Sequence, residues 1–160
     1  MKEISLRPIG IIRTPFLKTK GMPIQPSGGR GTLRTIELEP QFQEGLSDLI
    51  GFSHIILLYH FHQASHHSLK VQPFLDSQPR GVFSTRTPNR PNPIGLSVVR
   101  LEKIEGNILT ISDIDIMDGT PLLDIKPYIP DFDWQEQVRL GWMEGKSNQA
   151  DSRRSDNRFR

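Results

Sequence analysis

The residues best equipped for chemistry lie in one stretch, Arg80-Gly81-Val82-Phe83-Ser84-Thr85-Arg86-Thr87-Pro88-Asn89-Arg90-Pro91-Asn92-Pro93-Ile94-Gly95-Leu96-Ser97. Pro88, Pro91 and Pro93 lack an amide donor and fix φ, which excludes a helix interior or a central strand. Each also holds the residue before it, Thr87, Arg90 or Asn92, in extended geometry. The result is a stiff loop, shaped before any ligand arrives, that can present Arg86 and Arg90 outward. Guanidinium forks suit carboxylates and phosphates. A rigid surface connection with solvated arginines is the plainer reading, but loops that combine stiffening with cations more often hold a ligand. A second group lies further on. Asp124 and Lys126 are two apart on a strand-like run and share a face, which Tyr128 extends. A carboxylate beside an ammonium stays ionised and can accept hydrogen bonds. A surface ion pair worth about 0–1 kcal/mol has the same spelling.

Strands must position both groups. Ile4 to Arg13, Thr32 to Leu38, Ser53 to Phe61, Leu96 to Ile104, Ile108 to Ile114 and Leu122 to Ile129 all read as strands. Ser53 to Phe61 is nearly continuous apolar, the pattern of a strand buried on both faces. Glu105-Gly106-Asn107 predicts a hairpin, and Asp118-Gly119-Thr120-Pro121 a turn. Pro40 to Ile50 predicts a short amphipathic helix, and Trp134, Val138 and Trp142, at i, i+4 and i+8, a last one. Lys18 to Gly31 is a long irregular loop of the kind that is functional or disordered. Six or so strands with few helices predict a mostly β fold, a closed or nearly closed antiparallel β-barrel. Residues 1–145 form that domain, and 146–160, with little to bury, a disordered basic tail.

The 160 residues hold 13 Gly and 13 Pro, no Cys, and a net charge of +2. One domain's worth of chain follows. So does the absence of disulfides, Cys-based zinc sites and thiol nucleophiles. From Lys146 onward the charge is +3, so the body carries −1 and broad nonspecific RNA binding is disfavoured. No apolar run reaches the roughly 18 residues of a spanning helix. The amino terminus has no signal-peptide core, and a cytoplasmic location is the expectation. The histidines, His60, His62, His66 and His67 among them, have no metal-binding spacing, so no bound metal is expected. Gly28-Gly29-Arg30-Gly31 lacks the ending of a phosphate loop, and a dinucleotide fingerprint is absent.

The segment Ser84 to Ser97 resembles the signature of the TsaA-like, or TrmO, family of S-adenosylmethionine-dependent tRNA methyltransferases. Gly51-Phe52-Ser53-His54-Ile55, Asp118-Gly119-Thr120-Pro121-Leu122-Leu123-Asp124-Ile125-Lys126-Pro127-Tyr128 and, more weakly, Ile9 to Phe16 match it in order. The resemblance implies methylation of the N6 amine of threonylcarbamoyladenosine at tRNA position 37, next to the anticodon. It implies a homodimer and a cofactor pocket formed by Pro23, Gln25, His62, Gln63, Arg86, Leu96, Leu123, Asp124, Ile125 and Lys126. Ile24 stands where a basic residue is the family's habit. The longer family members carry a small carboxy-terminal domain, for which this chain has only a short helix and the basic tail. The methyl donor is an activated sulfonium, so alignment matters most. The nucleophile is a urea-like nitrogen whose proton a positioned group must accept. Asp124 then orients cofactor or substrate, Lys126 and Arg86 hold carboxylate or phosphate, and Tyr128 stacks or donates. A barrel methyltransferase with another substrate and a non-catalytic RNA-binding barrel are the alternatives.

Overall fold

The computed structural model describes residues 2–17 and 33–146. Six strands close an antiparallel barrel: β1 (Gly10–Arg13), β2 (Arg34–Leu38), β3 (His54–His60), β6 (Ile94–Glu105), β7 (Ile108–Ser112) and β8 (Thr120–Pro127). Around the barrel they run β1-β2-β7-β6-β3-β8, and β8 pairs back with β1. Two short strands, β4 (Lys70–Val71) and β5 (Arg80–Gly81), pair within the β3–β6 connection. The mostly β, closed-barrel expectation holds.

Alternation drives the closure. Inward side chains such as Ile12, Ile36, Ile55, Leu57, Val99, Leu109, Ile111 and Leu122 are fully buried and form one core. Such burial contributes about 1.5–3 kcal/mol per large aliphatic side chain. Gly106 adopts φ +60° in the β6–β7 turn, where its missing Cβ permits the tight hairpin. With all neighbours antiparallel, the β1–β2, β3–β6 and β7–β8 connections leave from the same end of the barrel. That end carries the longest connections, the proline-rich stretch among them.

Several elements differ from the sequence pattern. The first strand is confined to Gly10–Arg13. β3 is not buried on both faces: Ile55, Leu57 and Tyr59 point inward, while Ile56 and Leu58 lie half-buried on the outside. Its apolar outer positions cover barrel wall, not a second core. The Pro40–Ile50 helix is two 3-10 turns, Pro40–Leu46 and Leu49–Gly51, divided at Asp48 by a left-handed φ of 63°. The last amphipathic helix does not form. Only α1 (Pro130–Asp133) and a 3-10 turn at Gly141–Met143 are helical. Trp134 is extended, and Gln137 and Gly141 adopt positive φ, so the i, i+4 spacing meets no helical backbone. The Lys18–Gly31 loop and residues 147–160 of the tail lie outside the described residues.

Candidate active site

The proline-rich stretch begins where β5 ends, with a 3-10 turn at Val82–Ser84. Thr85 Oγ1 donates to the Val82 carbonyl at 2.8 Å and lies 3.1 Å from Thr87 Oγ1. Thr87 and Asn89 are buried, and Asn89 Nδ2 meets His66 Nε2 at 3.2 Å. Arg90 does not point outward as expected. Its Nη1 donates to the carbonyls of Thr85 and Thr87, at 3.1 and 3.3 Å, and ties the loop to itself. Prolines leave few amides to satisfy those carbonyls, and the guanidinium takes their place. Arg86 remains exposed.

The carboxy-terminal residues brace this loop from outside. Trp142 Nε1 donates to the Ser84 carbonyl at 2.7 Å. The Arg80 guanidinium stands 5.8 Å from the Trp142 ring and donates Nε and Nη2 to Asp76 Oδ2 at 2.8 and 2.6 Å. Lys146, the first residue of the predicted tail, also docks here, its Nζ 3.2 Å from Asp76 Oδ1. Arg80's hydrogen bonds, opposed by burial and helped by Lys146, hold the Asp76 carboxyl at about 2.

On β8, Asp124 and Lys126 form an ion pair of 2.7 Å. A bulge decides which face they occupy. Leu58 of β3 sits opposite Asp124, but the next residue, Tyr59, sits opposite Leu122, so Leu123 is inserted without a partner. Leu122 and Ile125 therefore both turn inward, and Asp124 and Lys126 turn out. Ile125 packs against the core, so its side chain is withdrawn from the outer face. Across the strands, Asp124, Leu58 and Leu96 form one outward row and Lys126, Ile56 and Val98 the next. Leu96 thus lies on the same outward face as Asp124 and Lys126. Tyr128 lies beyond β8, its ring edge-on to His54 at 6.4 Å between centroids. Four residues of strand, about 13 Å, separate it from Asp124.

His62 and Gln63 follow β3 at the barrel end with the long connections. His62 Nδ1 is 3.4 Å from Thr120 Oγ1, and Gln63 Nε2 is 3.3 Å from His62 Nε2. Burial, then the neighbouring His60, lowers the His62 pKa. Pro23 and Gln25 lie outside the described residues. Among the described residues no three His, Asp or Glu cluster as a metal site would need.

Sequence reasoning missed a buried polar chain at this same end. Tyr59 OH and Ser97 Oγ are 3.1 Å apart, and Ser97 Oγ donates to Asp115 Oδ1 at 3.0 Å. The Tyr59 ring lies against Gly95, where a Cβ would overlap it. Asp115 sits between the buried Ile114 and Ile116 in the β7–β8 connection. Thr14 fixes that connection, its amide donating to Asp118 Oδ1 at 3.0 Å and its hydroxyl to the Ile116 carbonyl at 2.9 Å. Burial pushes the Asp115 carboxyl up to about 6, against the hydrogen bond from Ser97 and the charge of Arg86. Burial, then Asp115, likewise raises Tyr59, with Ser97 and Arg86 opposing. Arg86 therefore acts on both buried groups. The one signal in the sequence was a lone Asp between two isoleucines.

A cleft of about 300 Å³ lined by Arg13, Thr14, Leu33, Arg34, Thr35 and Thr110 opens on the β1–β2–β7 wall and shares only Thr14 with the residues above.

A sequence model of the tRNA-methyltransferase O N-terminal domain matches residues 11–134, most of the chain. The chain belongs to the TrmO family. It is 54% identical over 156 residues to a probable S-adenosyl-L-methionine-binding protein from Pyrococcus abyssi, covering 98% of this chain and 85% of that one. It is 39% identical over 138 residues to the tRNA (adenine(37)-N6)-methyltransferase of Homo sapiens, covering 82% of this chain but 31% of that protein. The crystal structure of TrmO from Pseudomonas aeruginosa is similar with a TM-score of 0.75 and 43% identity, over 88% of this chain and 63% of that one. This chain thus spans under two thirds of the TrmO crystal chain and about a third of the human protein. The TrmO signature, Ser84 to Ser97, is the stretch that supplies Arg86, Gly95, Leu96 and Ser97.

The donor set suits S-adenosylmethionine. Leu58 and Leu96 offer apolar wall for a purine, Asp124 an acceptor for ribose hydroxyls or an ammonium, and Lys126 and Arg86 cations for a carboxylate. The Asp124 and Lys126 side chains are 43% and 59% exposed, within reach of a ligand.

Proposed function

We propose that this protein is an S-adenosylmethionine-dependent tRNA methyltransferase that methylates N6 of adenosine 37, carrying the threonylcarbamoyl group, and that it acts as a cytoplasmic homodimer. The observation that supports this reading most is the outward row of Leu58, Leu96 and Asp124, with Lys126 paired to Asp124 beside it, on the wall of a closed barrel. When bound, S-adenosylmethionine supplies a methyl group already activated by its sulfonium. The protein's work is then alignment. Lys126 and Arg86 hold anionic groups of cofactor or tRNA, Asp124 accepts hydrogen bonds that fix the orientation, and Leu58 and Leu96 exclude water. Tyr128, beyond β8 and edge-on to His54, is assigned a substrate contact. His62 and Gln63, at the barrel end with the long connections, and Leu123, at the bulge, border this wall. Ile125 contributes through its backbone, its amide already turned to Asp124 Oδ1 at 2.9 Å.

The dimer has its own support. Ile94 and Leu96, 40% and 47% exposed, share the outer face of β6, the kind of apolar surface a second copy covers. The tRNA substrate itself argues for the cytoplasm.

The direct test is nucleoside digestion after incubation with S-adenosylmethionine and tRNA, with and without the threonylcarbamoyl group. The N6-methylated product should arise only from the modified tRNA. Product from unmodified tRNA alone would replace this substrate with adenosine itself. Asp124→Asn and Lys126→Ala should each weaken cofactor binding by calorimetry by about 10-fold. Wild-type binding and turnover in both variants would leave only a surface ion pair.

A further inference from the structure

The urea-like nitrogen of the proposed substrate must lose a proton, and neither Asp124 nor Lys126 is built to take it. Asp124 already accepts from Lys126 at 2.7 Å and from the Ile125 amide. Lys126 as an ammonium has no lone pair to offer. The described carboxylates include one with a different setting. Asp115 is enclosed, accepts the Ser97 hydroxyl, and has no ion pair among the described residues. It remains partly exposed at the barrel end where Arg86 stands.

We propose that Asp115 is the proton acceptor of the methyl transfer, poised by the Tyr59–Ser97 hydrogen-bonded chain. This rests on the methyltransferase reading above. As the nitrogen's electron pair forms the bond to the methyl carbon, the carbon–sulfur bond breaks and leaves its pair on a neutral thioether sulfur. The N–H proton passes to a carboxylate oxygen of Asp115, which becomes a neutral acid. Atoms and charge balance: a cationic sulfonium and an anionic carboxylate become two neutral groups. A desolvated site favours such charge annihilation over the separated ions. Ser97 holds Oδ1 in place, and Gly95 leaves room for the Tyr59 ring that anchors Ser97. Burial that raises the carboxyl to about 6 brings it closer to the pH at which a base works best, while leaving it ionised at neutrality.

The groups facing Asp115 are Ser97 from β6, Tyr59 from β3 behind it, and Arg86 from the proline-rich loop. His62 and Asp118, the nearby titratable groups, are engaged by Thr120 and Thr14. In Asp115→Asn, cofactor affinity by calorimetry should stay within about 3-fold while kcat falls about 100-fold or more, and Asp115→Glu should recover part of it. The wild-type kcat should rise with pH through about 6, and that limb should disappear from the residual activity of Asp115→Asn. Ser97→Ala removes a donor to the carboxylate and should move the limb to higher pH. A readout without cofactor or tRNA is carbon-13 titration of the Asp115 carboxyl, expected near 6. Titration in the ordinary range near 4, or wild-type kcat in Asp115→Asn, overturns the assignment. Should Asp115→Asn not fold, the Ser97→Ala profile decides: an unmoved limb also overturns it. A wild-type protein that methylates no tRNA, yet titrates Asp115 near 6, refutes the methyltransferase reading and leaves the raised carboxyl standing.

Discussion

Asp76 and Asp115 are two enclosed carboxylates on connections at the same end of the barrel, and they are treated in opposite ways. Asp76 is covered by cations: two nitrogens of Arg80 and the Lys146 ammonium reach it, and its amide neighbours Ser77 and Gln78 donate to Oδ1 at 2.9 and 3.3 Å. Its proton is held off down to about 2. Asp115 receives the Ser97 hydroxyl and its own amide, and is pushed up to about 6. Desolvation acts on both, and pairing decides the outcome. A saturated carboxylate anchors structure, here the segment that carries Arg86. An undersaturated one keeps its basicity for a reaction.

Five variants sharpen this contrast. The largest effect is on catalysis: Arg86→Ala should lower kcat/KM at least about 10-fold, because a cation is lost from the proposed anion site and from the field at Asp115. Deleting residues 147–160 should cost less than that in the same assay, and an equal loss would assign the anion contact to the tail. Next is Asp76→Ala, which strands Arg80 and Lys146 and should lower Tm by roughly 5–10 °C at pH 7. The loss should fade in acid. A depressed folded pKa contributes stability above the unfolded value, and that contribution disappears as pH falls from 3.8 towards about 2. Trp142→Phe keeps an aromatic ring over Arg80 but removes the donor to Ser84. About 1 kcal/mol, or roughly 2–4 °C in Tm, is the expected cost. The smallest effect has the opposite sign. Asp115→Asn removes a carboxylate that is costly to bury when ionised, so Tm at pH 8 should rise by about 1–3 °C even as activity is lost. Asp115 favours the folded state while protonated, and that contribution is lost as pH rises from 3.8 to about 6. Wild type and variant should therefore converge below pH 4, and a fall in Tm at pH 8 would make Asp115 an anchor like Asp76.

Barrel class, hairpin and the stiff arginine loop were legible in the residues because each is a local rule: alternation, a Gly turn, proline geometry. So was the shared face of Asp124 and Lys126. Which face it is was not legible. A straight count from Leu122 sends Asp124 into the core, and only the bulge opposite Leu58 and Tyr59 turns it out. Arg90 reads like Arg86 in sequence, yet it is spent on the loop's own carbonyls. The spacing of Trp134, Val138 and Trp142 imitates a helix, but Trp142 is placed by a hydrogen bond to Ser84, 58 residues away.

The order of residues alone therefore determined a proline-braced arginine loop, an acid–base pair and a set of strands able to carry them, because dihedral limits and side-chain alternation act between neighbours in the chain. Tertiary structure decided which charges are paired and which are left bare. Ser97 and Asp115 are 18 residues apart and meet only once the barrel closes. A carboxylate's basicity depends on the solvent and charges around it, and the chain acquires those only by folding.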